Sequence, residues 1–551
     1  LANAISFCFG DEGAYSTSEA EAFGKWFEWT RQHYPGVILH TNQWPGLWNR
    51  NQLIEYMRIA EPDMLCWDDY YGDASYAKPS TVNLANQDVQ KNAVRRLLNL
   101  SHWEMYRELA YGGIDGTGAK PILFGQYLDA FAFNKPESVK NLIVNTSILS
   151  GAKWLNFFRL EYQFDRAYLY DEDGTPTRGL LEWGQIIDRI HAIDDQLTRL
   201  NNDWIMFKVG GMGNTDNENV SADGFRMGDF DAPESAQKNQ EFGISNVEMT
   251  SLSDAHDRQT GDVVLGYFNT LTGLYESESE EYFMGATAPK AFMVMNGLAA
   301  GQDEKYNQFN IPAREAGAAN NTQQEITITV DAGFAANNTL YMVDKDDVDE
   351  NGSGRIKEVI LDENNSFTVT LGGGEANLYF WDTDATATAS SAGEGTYASF
   401  AFDLSKETYW QPAEVSQDGV YTLENTFAPA KLEKVTLLER GNTTEAYQVE
   451  YMDENGEWQP FGEGAAVGAA LDVTAGAPVT AQGIRVTLTS ASGLPALYSV
   501  DLTTSEPDGG NTENTVTVND NTMGDSLFRF NYDNLWSYRE TETNDSTMSG
   551  Q

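Results

Sequence analysis

The first two hundred residues alternate short apolar runs with amphipathic stretches, and that alternation constrains the fold more than any other feature of the chain. The apolar runs are Ala4–Phe9, Gly36–His40, Asp63–Trp67, Pro121–Gly125 and Ala152–Phe158. Between them Ser18–Tyr34, Asn51–Ile59, Asn83–Ala110 and Ser138–Ser150 repeat apolar residues at three- and four-residue spacing, the period of a helix with one buried stripe. Leu180–Leu200 adds a closing helix. Strand–helix alternation predicts a parallel sheet with helices outside it. Five strands without a Rossmann glycine signature favour a (β/α)8 TIM barrel over a doubly wound sheet. A complete barrel takes eight strands and roughly 250 residues. Residues 1–200 are therefore expected to be the C-terminal part of a barrel, with about three βα units lying upstream, in keeping with a start at Leu1.

Beyond Asn201 the texture changes to short strand-like runs separated by Gly, Asn and Asp. Residues 201–382 are expected to form an antiparallel β-sandwich, 383–395 a linker rich in Thr, Ala and Ser, and 396–504 a second all-β domain. Another linker at 505–514 leads to 515–551, the opening of a further β-module. A length of 551 residues suits such a multi-domain chain. A net charge of −48 repels phosphate backbones and anionic lipids, so nucleic acid and membrane surfaces are not expected partners. No run of 18 apolar residues offers a transmembrane helix. Cys8 and Cys66, each inside an apolar run, are expected to be free core thiols.

In a parallel barrel the site lies at the carboxyl ends of the strands. The strand tails are Gly10-Asp11-Glu12-Gly13, Thr41-Asn42-Gln43-Trp44-Pro45, Asp68-Asp69-Tyr70-Tyr71, Gln126-Tyr127-Leu128-Asp129 and Arg159-Leu160-Glu161-Tyr162. Carboxylates and aromatic faces at a concave mouth are what acetal hydrolysis by a carboxylate pair requires. Glu12 is expected to be the general acid, with its pKa raised by burial or by Asp11, and Asp68 the nucleophile or water-activating base. Asp69, Asp129 and Glu161 compete for the second role. Trp44, Trp67, Tyr70, Tyr127 and Tyr162 are candidates for stacking on sugars; Asn42, Gln126 and Arg159 are candidates for binding hydroxyls. Strand-end carboxylates also cap helices or pair with arginine, and that plain role remains open for each.

The stretches ISFCFGDEGAYS, PDMLCWDDYYG, KPILFGQY and SILSGAKWLNFFRLEY, followed by LYDEDGTPTRGLLEW, together resemble a group of bacterial TIM-barrel glycoside hydrolases related to the β-galactosidase-type barrels. The resemblance covers about Ala2–Leu200 and implies that the Glu of the Gly-Asp-Glu tail, Glu12, is the acid. In such proteins Pro usually follows that Glu, where this chain has Gly13. The retaining enzymes carry a Glu nucleophile on the seventh strand, where this chain has Gln126, which leaves retention or inversion open.

VTLLERGNTTEAYQVEYMDENGEWQPFGEGAAVG and GIRVTLTSASGLPALYSVDL resemble the galactose-binding-like F5/8 type C (discoidin) sandwich found behind fucosidases and other glycan-active enzymes, with Tyr409, Trp410 and Trp458 as possible sugar contacts. Residues 518–538 resemble the opening of another carbohydrate-binding sandwich, and 268–379 the all-β domain that follows many glycosidase barrels and buttresses them. The resemblance implies a secreted or cell-surface glycosidase acting on an oligosaccharide, polysaccharide or glycoprotein glycan. The alternative is a non-catalytic, adhesin-like binder with a degenerate barrel. No cofactor and no catalytic metal site are expected. Asp344, Asp346, Asp347, Asp349 and Asn351 offer alternating oxygens for a structural Ca²⁺, although a solvated acidic turn accounts for the same residues.

Overall fold

The computed structural model describes residues 4–44, 46–68, 103–116, 121–129, 137–158, 174–176, 178–211, 227–252, 258–270, 282–298, 322–384, 386–393, 396, 398–402, 409–491 and 493–505. The module expected at 515–551 and residues 83–102 of the third expected helix lie outside them.

The N-terminal unit runs β1 (Ser6–Asp11), α1 (Thr17–His33), β2 (Ile38–Gln43), α2 (Arg50–Ala60), β3 (Met64–Asp68), α3 (Trp103–Gly112), β4 (Leu123–Asp129), α4 (Glu137–Leu149), β5 (Trp154–Phe158) and α5 (Arg178–His191). The helices begin where local chemistry satisfies their free amides. The Ser16 hydroxyl accepts the Glu19 amide at the start of α1, and Asn49 and Gln52 cap α2 reciprocally. All five strands pair in parallel and in sequence order, β1-β2-β3-β4-β5. A barrel wall needs that unreversed order, but this sheet is open, with β1 and β5 as its edges. The described residues thus form a five-stranded parallel layer and not a closed (β/α)8 barrel.

Four of the five strands extend past the apolar run into the polar tail: β1 reaches Asp11, β2 Gln43, β3 Asp68 and β4 Asp129. Ladder hydrogen bonds join backbones, so a polar side chain does not end a strand whose neighbour continues. Alternation then divides each tail between two faces. Leu39, Leu65, Trp67, Phe124 and Leu128 face the helices and enter a core with Phe23, Phe27, Tyr106 and Trp183. Gly10 permits the close approach of α1, since a Cβ there would lie 2.7 Å from the Phe23 ring.

The expected closing helix at Leu180–Leu200 is divided. After α5 comes a single turn, Asp194–Leu197, and Leu200 already opens β6. The second unit comprises β6 (Leu200–Lys208), β7 (Met227–Asp229), β8 (Ile244–Ser251), β9 (Val263–Thr270), β10 (Lys290–Asn296), β11 (Gln324–Val330), β12 (Leu340–Val348), β13 (Gly354–Glu358), β14 (Ser366–Leu371) and β15 (Ala376–Trp381). A seven-stranded sheet, β13-β12-β15-β10-β9-β6-β7, packs against a three-stranded one, β14-β11-β8, around Tyr267, Phe292, Ile326, Ile328, Tyr379 and Trp381. All pairings are antiparallel except β6 with β7.

The outer face of the large sheet joins the core of the first unit through Ile205, Phe207, Val264, Phe268, Met293 and Phe380. Buried polar bonds pin the same interface. Arg107 donates to the Ser150 carbonyl (3.0 Å) and the Asn202 carbonyl (2.9 Å), and Asn145 donates to the Gly374 carbonyl (2.9 Å). Gly374 has a φ of +73°, and a Cβ there would sit 2.3 Å from the Leu142 amide nitrogen, so the helix leaves room only for glycine.

The third unit holds β16 (Ala387–Ala389), β17 (Val420–Glu439), β18 (Ala446–Met452), β19 (Trp458–Ala465), β20 (Leu471–Val473), β21 (Val479–Thr489) and β22 (Leu497–Ser505). β16 falls inside the stretch expected to be a linker, yet it pairs with β17. The long β17 pairs along its first half with β16 and β21; after an irregularity between Thr426 and Ala430, its second half pairs with β20 and β22. One strand thereby serves both layers of a sandwich filled by Trp410, Leu423, Leu437, Val449, Ile484, Val486 and Leu497.

Candidate functional site

The inner face of the parallel sheet, turned away from the helices, carries Cys8 and Asp11 from β1, His40 and Asn42 from β2, Cys66 and Asp68 from β3, Tyr127 from β4, and Trp154 and Asn156 from β5. The register aligns Cys8 with His40, Asp11 with Asn42, Asn42 with Cys66, and Asp68 with Tyr127 and then Asn156. His40 and Tyr127 both meet the Trp154 ring edge-on, at 5.3 and 5.1 Å between ring centres.

At the carboxyl ends, β1 shifts register between Cys8 and Asp11, and Glu12 follows with a φ of +50°. A non-glycine residue in the left-handed region needs outside support. The Glu12 amide donates to the Asn42 carbonyl (2.9 Å), and the Trp48 indole donates to the Gly13 carbonyl (2.8 Å). These clamps turn the Glu12 carboxyl toward Asp68, and the two hydrogen-bond. Burial, the nearby charges of Asp68 and Asp11, and that hydrogen bond all hold the Glu12 pKa above the usual carboxylate range. Asp68 is itself buried. The result is a carboxyl pair from two strands in which Glu12 carries a donatable proton.

Asn42 is already engaged. Its Nδ2 donates to Asp11 Oδ1 at 2.9 Å, and its Oδ1 accepts from the Cys66 thiol at 3.7 Å. Trp44 lies just past β2 and is 46% exposed. Gln126 and Trp67 point the other way. Gln126 donates to the Ser147 hydroxyl on α4 at 3.0 Å, and Trp67 stacks on Tyr106 at 4.6 Å within the helix-facing core, so neither reaches the inner face. That corrects the expectation that Gln126 binds hydroxyls and Trp67 stacks on sugar: strand alternation turns them outward. Asp69, Tyr70, Arg159, Glu161 and Tyr162 lie outside the described residues, as does the side chain of Asp129. Cys8 and Cys66 are both free; Cys66 is buried as expected, whereas Cys8 is exposed on the inner face.

His40 and Trp154 escaped the sequence reasoning because they lie within apolar runs rather than in tails. The alternation of Ile38, His40 and Asn42 within β2 is the signal that could have found His40.

In the acidic β12–β13 hairpin each aspartate has a partner. Asp344 and Asp347 bind Lys357 at 2.8 and 2.6 Å, and Asp346 binds Arg189 at 2.9 Å. Asp349 accepts the amides of Asn351 (2.7 Å) and Ser353 (3.1 Å). Among the described residues no group of three or more His, Cys, Asp or Glu could hold a metal ion. No described helix is long and apolar enough to cross a membrane.

In the third unit Trp410 is fully buried and donates to the Ser391 carbonyl, which removes it as a sugar contact. Tyr409 remains partly exposed, with the Arg440 guanidinium 4.0 Å above its ring and Tyr498 at its edge. Trp458 is half-buried beneath Arg485, 4.1 Å from its ring centre.

The chain is thus multi-domain and strand-rich, with a parallel α/β layer at one end and a sandwich at the other. Residues 386–499 match the F5/8 type C domain. No curated protein matches the chain. Its neighbours among solved structures include carbohydrate-binding modules and glycoside hydrolases. A GH29 fucosidase from Ruminococcus gnavus, solved with fucose, is 21% identical over 22% of this chain and 25% of its own length, with a TM-score of 0.20. Chitosan-binding module 1 of a Paenibacillus sp. IK-5 chitosanase/glucanase is 25% identical over 21% of this chain and 93% of its own, with a TM-score of 0.20. The family 32 carbohydrate-binding module of Clostridium perfringens NanJ, solved with galactose, is 21% identical over 21% and 91%, with a TM-score of 0.19.

Proposed function

We propose that the chain is a carbohydrate-active protein whose N-terminal unit, part of a TIM-type barrel, hydrolyses glycosidic bonds through Glu12 and Asp68. The 386–499 module holds the protein on the same class of glycan. The observation that carries this reading is the placing of two carboxyls, Glu12 and Asp68, close together at the carboxyl ends of separate strands of a parallel sheet. Glu12 keeps a proton at pH values where an ordinary carboxyl has lost it, which suits a general acid that protonates a leaving oxygen. Asp68 takes the complementary role of base or nucleophile. The glycosidic oxygen enters by replacing Asp68 as the hydrogen-bond partner of Glu12. Trp44, exposed just past β2, supplies a stacking face, and in the module Tyr409, Arg440 and Tyr498 form a partly exposed aromatic group suited to a sugar. A glycan substrate and an F5/8 type C module both fit a secreted or cell-surface protein.

The test is release of reducing sugar from aryl glycosides and from a mucin and plant glycan panel, by the wild type, Glu12→Gln and Asp68→Asn. Release that disappears in both variants supports hydrolysis. Retention on a glycan array with no release by the wild type sinks it and favours the second reading, a non-catalytic binder. The outward orientation of Gln126 favours that binder, since it leaves Tyr127 rather than a carboxylate or amide on the inner face at the corresponding point of β4.

A further inference from the structure

Asn42 stands where sugar hydroxyls would be met, one strand from the acid, yet its bonding is turned inward. Its backbone carbonyl accepts the Glu12 amide at 2.9 Å. Its side-chain nitrogen donates to Asp11 at 2.9 Å, and its side-chain oxygen receives the Cys66 thiol at 3.7 Å. The residue is 4% exposed and lies in register with Asp11 on one side and Cys66 on the other. We propose that Asn42 is a positioning residue that sets Glu12 against Asp68, and not a contact for substrate.

The proposal rests on the hydrolase reading for its consequence in turnover, but its geometry stands apart from that reading. β1 leaves the sheet through a register shift, and Glu12 adopts a left-handed backbone that its own side chain does not favour. The ladder ends at this point, so the turn beyond Asp11 depends on a few lateral ties. On the β2 side both ties come from Asn42, one to the Glu12 backbone and one to the Asp11 side chain. The link to Cys66 refers the assembly to β3, the strand that carries Asp68 two residues further on.

The groups around Glu12 are Asp11 on its own strand end and Asp68 on β3. Glu19 lies in the first turn of α1, its Oε1 3.3 Å from where a Cβ on Gly13 would stand. Cys8, Cys66 and Tyr127 lie deeper on the inner face. The charges of Asp11 and Asp68 both favour a protonated Glu12. With the Asn42 side chain removed, the backbone bond to the Glu12 amide remains, but Asp11 loses its amide donor and the end of β1 that aims the Glu12 carboxyl loses its side-chain tie. Glu12 then leaves Asp68 and titrates nearer the ordinary carboxyl range.

Difference infrared titration of the full chain reads this without any substrate. The protonated-carboxyl band that Glu12→Gln abolishes should have its midpoint moved down by about one pH unit in Asn42→Ala. Asn42→Ser, a milder change, substitutes if the alanine variant does not fold by circular dichroism. On a substrate the wild type cleaves, kcat should fall about tenfold or more while KM stays within about threefold, and the alkaline limb of the pH profile should move down with the band. An unshifted band with a raised KM and an unchanged kcat overturns the proposal and returns Asn42 to the sugar. If the wild type releases no sugar, the hydrolase reading fails alone, and the infrared shift still decides the position of Glu12.

Discussion

On the inner face of the parallel sheet His40, Asn42 and Asp68 are buried polar groups, whereas the interior of the 386–499 module is filled by Trp410, Leu423, Leu437, Val449 and Ile484. Carboxylates are used differently in the two places. In the module, Asp453 at the β18–β19 turn is held below the usual range by the amides of Glu457 and Asn455 and by the Gln459 side chain. Asp418 is likewise pulled down by Ser416 and by the Val420 amide. Among its described residues one carboxylate is buried, Glu439, and it accepts the amides of Thr443 and Thr444 within its own loop, each at 2.7 Å. In the parallel unit Glu12 is pushed up by burial and, next, by the charge of another carboxylate from a different strand. Acids that close turns become better anions, while an acid placed against another acid becomes a proton store. The contrast shows how the same residue types serve folding in one unit and chemistry in the other.

The largest expected effect breaks the contrast at its centre. Glu12→Gln should lower kcat on a cleaved aryl glycoside by about 10²–10⁴-fold, while retention of the chain on a glycan array stays unchanged. Loss of both together would mean that the two units share one site.

Next come the buried ion pairs. Lys140 on α4 meets Glu182 on α5 at 2.6 Å, with side chains only 2% and 8% exposed. Lys140→Ala leaves Glu182 buried without its cation and should cost about 3–5 kcal/mol in urea unfolding. The corresponding break in the module, Arg485→Ala, removes a partly exposed pair with Glu424 at 2.7 Å and should cost about 1 kcal/mol or less from the ion pair. Equal losses at the two positions would erase the distinction.

A smaller, pH-dependent effect follows from His40. It is fully buried, neither ring nitrogen makes a hydrogen bond, and burial holds its pKa down at about 4 against 6.5 unfolded. Because the unfolded chain takes up the proton first, stability is full above pH 6.5 and is lost as pH falls toward about 4. The loss amounts to about 3 kcal/mol. His40→Leu should flatten that part of the profile of urea midpoint against pH. An unchanged slope would assign the acid sensitivity to other groups.

Much of this arrangement was legible beforehand. The 3.6-residue stripes of Ser18–Tyr34 and Asn51–Ile59 agree with α1 and α2 to within a residue or two, because each stripe has a cap beside it at Ser16 or Asn49. The β texture after Asn201 likewise announced sandwiches. Strand ends were less legible. Polar tails look like loops in a single sequence, so Gln126 and Trp67 appeared equivalent to Asn42 and Asp68 as candidates. Once the tails are known to be strand, every second residue belongs to the helices.

The sequence by itself determined the kinds of unit, their order, and the stock of carboxylates at the strand exits. Local period and capping chemistry act within one element and need no partner. Tertiary structure decided which of those carboxylates meet, that Asn42 spends its amide on Asp11, and that the described parallel strands form an open layer. These depend on register between strands and on how far each ladder runs, and register is a property of two neighbours that neither strand encodes alone.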